Sequence, residues 1–410
     1  MNGLTATRTE SPLSRLHRVV ACVGVAALPI AGGFDTVGLA LLTAAAALGI
    51  PLLLRTPGGL SWWLAGVWLA WWAMAAASLA WSTAPQDAAL QSAWPLVILP
   101  ALAPLRERPA CWLWALGLGV AAQSIIQTAL WQFGSGPDGL HWYPPYTGMW
   151  AAAGVMLLIG LARTRRSTLP RLAAVVLTAA ALAGVLLSSS LACWASLGAG
   201  GVILAWRWAS TSAYWRSVCW VAVIGLGAGA AITLPHMWQQ VRTAGHDLEQ
   251  ASRPIETEGP AALDSGVGLR VAWWHAGWVA LQDRPLAGSG AGSVERTLAE
   301  LEANMPSRWG AAVPGFLTRN PHCSLISTAI EQGGIGVVLL LGAAAGGLVA
   351  SWRLGGRRRV LCGLTAAWGT LLVSGVTHAV LLEPYTAALA SLLLAASLGR
   401  PPLPCAAPGD

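Results

Sequence analysis

Asn320-Pro-His322-Cys-Ser-Leu-Ile-Ser-Thr-Ala-Ile330-Glu-Gln-Gly333-Gly-Ile-Gly336-Val-Val-Leu-Leu-Leu-Gly-Ala-Ala-Ala-Gly-Gly-Leu-Val-Ala350 passes from a polar loop into a stretch without charge. A charge-free run of roughly 16–22 residues crosses about 30 Å of hydrocarbon as a helix. Runs of this kind recur along all 410 residues, of which 55% are hydrophobic and 10% charged. That composition overrides the expectation of two or three soluble domains for such a length. Short alternating strands, the mark of a transmembrane barrel, are absent from the sequence. The fold class expected is an all-α polytopic membrane protein.

Hydropathy places about twelve spans, at 19–33, 36–54, 60–79, 88–103, 110–133, 147–161, 172–187, 191–206, 218–234, 330–350, 360–380 and 385–398. The first follows Arg8, Arg15 and Arg18 like a signal peptide. No small-residue cleavage site follows it, so an uncleaved helix is expected. Four regions result: nine N-terminal transmembrane helices over 1–234, a large loop over 235–321, three C-terminal helices over 322–400, and a disordered tail over 401–410.

All of the basic residues are arginine, and they cluster in alternate short loops: Arg55, Arg106/Arg108, Arg163/Arg165/Arg166/Arg171, Arg207/Arg216, Arg353/Arg357/Arg358/Arg359 and Arg400. The loops between carry Asp35, Asp87, Asp138 and Glu383 without arginine. The positive-inside rule then puts both termini in the cytoplasm and the loop 235–321 outside, where its seven arginines are exempt from the rule. Basic charge between spans marks topology, which removes nucleic acid as the reason for the net charge of +7.

Within the loop, 268–282 puts Leu269, Trp273, Ala276 and Ala280 on one helical face, as expected of a helix on the membrane surface; another helix is expected at 293–304. Trp62/Trp63, Trp71/Trp72, Trp81, Trp142 and Trp150 read as interfacial anchors, with sugar stacking the less common alternative. Of the seven cysteines no pair has metal or redox spacing, and Cys323 beside His322 reads as a small apolar residue at a helix start.

Ionisable residues are nearly missing from the span interiors, where coupled transporters keep them. The polar candidates sit at outer ends instead. His322 can take a proton from an attacking hydroxyl, and an arginine can hold a phosphate with paired donors. A helix residue bonded to backbone remains the plainer reading of His322 alone, and a solvated charge that of Arg270. Glu331, nine residues on, reads as a helix–loop tie rather than a partner of the histidine. Gly288-Ser-Gly290-Ala-Gly292 lacks the parallel-sheet context of a nucleotide loop and reads as a tight turn after Asp283-Arg-Pro285-Leu.

Two blocks together resemble the O-antigen ligase and polymerase superfamily of bacterial membrane glycosyltransferases. One is Arg270-x-x-Trp273-x-x-Ala276 running on to Asp283-x-Pro285-Leu286-x-Gly288-x-Gly290-x-Gly292. The other is His322 followed by Glu331-x-Gly333-x-Ile335-Gly336. The resemblance implies a GT-C-like fold in the bacterial inner membrane and transfer, without metal or other cofactor, of a glycan from undecaprenyl diphosphate at the periplasmic face. His322 and Arg270 would be catalytic, as base and diphosphate-binding residue. Arg319, Arg284 and Glu331 are the candidate substrate-binding residues. The acceptor implied is lipid A–core in the ligase branch, another lipid-linked repeat in polymerases, or protein in O-oligosaccharyltransferases. A transporter of lipid-linked sugars is the non-enzymatic alternative. The chain departs from the family pattern at Leu191, where many relatives carry a second arginine, at Cys323 in place of Asn or Ser, and in the outer loop around 143–150, which lacks the frequent Asn.

Overall fold

The computed structural model describes residues 11–30, 34–55, 62–82, 94–105, 109–132, 144–164, 167–188, 190–209, 242, 266–304, 323–357, 362–377 and 384–398. Among them all regular structure is helical: α1 Pro12–Ala27, α2 Phe34–Arg55, α3 Trp62–Ser78, α4 Trp94–Leu102, α5 Pro109–Gln132, α6 Pro144–Thr164, α7 Thr168–Leu187, α8 Leu191–Ala209, α9 Gly266–Asp283, α10 Val294–Asn304, α11 Ser324–Arg357, α12 Cys362–Thr377 and α13 Pro384–Ser397. Short 3₁₀ turns Leu79–Trp81 and Ala103–Leu105 extend α3 and α4. Proline opens α1, α5, α6 and α13, where its missing N–H would have no helical partner anyway. The Ser11 hydroxyl caps α1 by accepting from Ser14 N at 3.2 Å.

Six of these helices are long and apolar enough to cross a membrane, and α12 and α13 are shorter apolar helices. Leu169, Leu172, Val175 and Val176 are exposed on α7, and Ile335, Val338, Leu341 and Val349 on α11. Bare apolar stripes of this length need a hydrocarbon neighbour. The chain is an all-α polytopic membrane protein.

Helices meet where glycine admits backbone or ring contact. Gly119 of α5 abuts the Ala26 carbonyl of α1, Gly363 of α12 abuts that of Met156 in α6, and Gly347 of α11 receives the Trp368 ring of α12. Trp68, Trp71 and Trp72 form a tilted cluster with ring centroids 4.7–6.0 Å apart, and with Trp150 they are buried. Trp71, Trp72 and Trp150 are thus core residues rather than interfacial anchors, because one face of α3 and most of α6 pack on protein. Trp63 and Trp81 do remain exposed.

Two spans differ most in where they begin. The first helix begins at Pro12, taking Arg15 and Arg18 into its opening turns. The tenth begins at Ser324 rather than near 330. Its first three turns carry Ser324, Ser327, Thr328, Glu331 and Gln332, all buried against protein, so a scale that scores polarity misses them. The ninth expected span, 218–234, lies outside the described residues.

α3 runs antiparallel to α11, Gly346 lying on Leu64 and Gly342 on Val67. α8 runs antiparallel to α12, with the Ser196 and Ser374 hydroxyls 2.7 Å apart. Arg207, at the end of α8, donates to the Trp352 carbonyl at 2.7 Å and covers the Trp352 ring at 4.5 Å. This arginine-bearing end is opposite the one where the polar loop returns to the bundle.

Candidate active site

Residues 283–293 and 330–335 interlock through their backbones. Gly333 has φ 64° and ψ −162°, which interrupts α11. In an unbroken helix the amides of Gly334 and Ile335 would donate to the carbonyls of Ile330 and Glu331. Here they donate to Pro285 O at 2.7 Å and Leu286 O at 3.3 Å. The released carbonyls accept from Ser289 N at 2.7 Å and Gly290 N at 2.8 Å. Two helical bonds are exchanged for four bonds to the loop, so none of these four groups is orphaned.

Glycine is required on both sides of this joint. Gly288, Gly290 and Gly292 have φ of 65°, 95° and 78°, a region that side chains disfavour. A side chain on Gly288 would also stand 2.6 Å from the Gln332 nitrogen, and one on Gly333 2.6 Å from the Ala287 nitrogen.

Each amide from 288 to 293 has a partner. Gly288 N bonds Arg284 O, Ser293 N bonds Gly290 O, and Ser289 and Gly290 bond the broken helix. Ala291 N donates to the Ser78 hydroxyl at 3.0 Å, and Gly292 N to Glu331 Oε1 at 2.9 Å. The segment is therefore a docking turn and not an anion cradle, whose amides would have to point at the ligand. Glu331, 8% exposed, ties helix to loop.

The turn orients the helices on either side. Trp273, Ala276 and Ala280 of α9 pack with Val294, Leu298 and Leu301 of α10 and with Ile330 of α11. The apolar face expected to lie on the membrane thus faces protein. Gly277 meets Ile326 and Ile330, and eight and nine residues later Pro285 and Leu286 meet Gly334 and Ile335, so α9 runs parallel to the start of α11. Arg270 lies two turns before Gly277 along α9. His322 precedes the first residue of α11 by two positions. The parallel register brings the opening turns of α9 to the same end of the joint as the start of α11.

The Arg270 side chain, His322 and Arg319 lie outside the described residues. Arg284 is exposed at the start of the turn, Cys323 is buried at the foot of α11, and Leu191 opens α8. Two contributors escaped the sequence reading. Ser78 ends α3, and Ser82 follows the 3₁₀ turn after it. The Ser82 hydroxyl donates to Ala291 O at 2.6 Å. Serines four apart at the end of a span carry no signal of their own.

Buried polar side chains gather at this end of the bundle, including Gln123 and Gln127 of α5, Thr147 of α6, Ser188 after α7, and Ser327, Thr328 and Gln332 of α11. Such a concentration suits polar chemistry at the edge of an apolar slab. Residues 173–341 match the family model described as O-antigen ligase. No curated protein matches the chain in sequence.

Proposed function

With residues 173–341 assigned to the O-antigen ligase family, we propose that the protein is a membrane glycosyltransferase that moves a glycan from undecaprenyl diphosphate to the lipid A–core acceptor at the periplasmic face of the inner membrane. The observation that supports it best is the interlock of the glycine turn with the broken helix. It joins the helix bearing Arg270 to the helix preceded by His322, in parallel register.

In this reading the His322 imidazole accepts the proton of the acceptor hydroxyl as that oxygen attacks the anomeric carbon. The bond from that carbon to the diphosphate oxygen breaks, and its electron pair leaves with undecaprenyl diphosphate. Arg270 offsets the charge gathering there through its planar pair of donors, with Arg284 and Arg319 as further cations for the diphosphate. Family members act as membrane glycosyltransferase-type enzymes, and this division of labour needs only side chains of the chain itself. A lipid-linked sugar transporter would need ionisable groups along its path. Among the described residues, Glu331 is the one buried carboxylate and His17 the one buried histidine; the turn engages the first, and the second bonds Ala101 O at 2.8 Å.

Lipopolysaccharide gels from a deletion strain complemented with wild-type or His322→Ala protein test the proposal. Polymer-capped core should return with wild type and stay absent with the variant at equal membrane level, while free lipid-linked polymer accumulates. Capping by His322→Ala would remove the mechanism. Loss of chain length or of glycoprotein, in place of loss of capping, would assign the polymerase or the protein-glycosylating reaction instead.

A further inference from the structure

The segment that matches the family begins at residue 173, so α3 lies wholly outside it. The third span nevertheless reaches the joint. We infer that Ser78 and Ser82, at the end of α3, are positioning residues of the transfer reaction. They hold the glycine turn from the side opposite α11 and so fix where α9 presents Arg270. The inference rests on the function proposed above.

Ser78 is fully buried, and its hydroxyl is oriented by donating to Ala75 O at 2.7 Å, which leaves its oxygen to accept from Ala291 N at 3.0 Å. Ser82 takes the other side of the same residue by donating to Ala291 O at 2.6 Å. One peptide unit on each side of Ala291 is therefore clasped by α3. The approach is close: a side chain on Gly290 would stand 2.6 Å from the Ser82 nitrogen and 2.7 Å from its Cβ. The neighbouring residues Gly290 and Gly292 are bonded to Glu331. The turn is thus gripped between two spans, and α3 packs along α11 at Gly342 and Gly346 as well, which keeps the grip rigid.

Geometry explains why such a grip matters for a reaction centre some distance away. From Asp283 back to Arg270 is roughly 20 Å of helix at about 1.5 Å per residue. A tilt of about 3° at the turn would move Arg270 by roughly 1 Å, and a displacement of that size can cost about 100-fold in rate. Packing of α9 on α10 and α11 absorbs part of any such tilt, so a loss near tenfold in kcat is expected for removing one hydroxyl. Arg270 acts in this scheme on charge that develops only as the bond to the diphosphate breaks, so the loss should fall on kcat and the donor KM should change little.

The test uses the full chain in nanodiscs, with a lipid-diphosphate-linked glycan as donor and hydrogen exchange read on the 286–293 peptide. Ser82→Ala and Ser78→Ala should each exchange faster there and lose about tenfold in kcat with donor KM within twofold. Ser82→Thr, which keeps the hydroxyl, should restore both readings. Wild-type exchange in both alanine variants would overturn the inference, as would a Ser82→Thr protein as impaired as Ser82→Ala. A loss of turnover that follows folded yield, measured by size-exclusion profile, would overturn it too. If the wild-type chain transfers no glycan, the proposed function fails while the exchange reading still decides whether α3 holds the turn.

Discussion

Replacing Gly333 by alanine probes the joint most directly. The native residue has φ 64° and ψ −162°, a region all but closed to a side chain and worth about 1–3 kcal/mol of strain. The added methyl would also collide with the Leu286 carbonyl and stand 2.6 Å from the Ala287 nitrogen, so the turn must move. The cheapest escape is for α11 to become continuous. It would recover its two internal bonds and surrender the four that now join it to 285–290, a net loss of two bonds at about 1 kcal/mol each. Release of Gly292 from Glu331 adds about 1.5–3 kcal/mol for a charge-assisted bond. The total is roughly 3–5 kcal/mol, borne by the loop and not by the bundle. Hydrogen exchange in nanodiscs should therefore show the amides of 288–293 deprotected by a factor of 100 or more, while peptides from α5, α6 and α12 keep wild-type protection. Capping of lipopolysaccharide should fall with it. Wild-type exchange and capping in Gly333→Ala would refute the reasoning, since they would mean that the break in α11 is incidental.

Glu331→Gln keeps an oxygen for Gly292 N–H and should cost about 1 kcal/mol, whereas Glu331→Ala strands that amide and should cost about 2–3 kcal/mol; thermal unfolding in detergent compares the two. Equal losses of turnover in both at full stability would point to a role for the carboxylate charge on substrate. Arg270→Lys should lower donor turnover on the order of 100-fold at normal folded yield, because an ammonium cannot reproduce the planar fork. Initial rates at saturating donor check it, and wild-type turnover would count against paired contacts to the diphosphate. Gly119→Val should drive α5 from the Ala26 carbonyl of α1 and lower stability by about 1–3 kcal/mol or more, with turnover per folded molecule unchanged; unfolding midpoint and rate separate the two effects.

The joint also gives a physical reason for the spacing of its glycines. Gly288 and Gly290 lie two apart because alternate residues of the turn approach α11 and then α3. Gly333 falls one residue before the first amide that leaves the helix. A reader of glycine-rich sequence would associate this density with phosphate binding. The amides are instead committed to protein carbonyls, to a carboxylate and to a hydroxyl, so this turn has none to offer a phosphate.

Local chemistry was enough to establish the membrane class, most of the helices and the two blocks that carry the family resemblance. Charge-free length specifies a span through the thickness of hydrocarbon, and the apolar periodicity of 268–282 specified a helix, observed as Gly266–Asp283. Both are decided by residues close in the chain. The same pattern could not say what the apolar face of that helix would cover, because lipid and protein reward burial alike; packing on α10 and α11 decided it. Trp71, Trp72 and Trp150 were misread for the same reason. The grip on Ala291 by Ser78, 213 positions earlier, lay wholly beyond sequence. A hydroxyl at the end of a span acquires a partner only when antiparallel packing of α3 on α11 brings a distant turn against it. Tertiary structure alone turned two short glycine motifs into one joint.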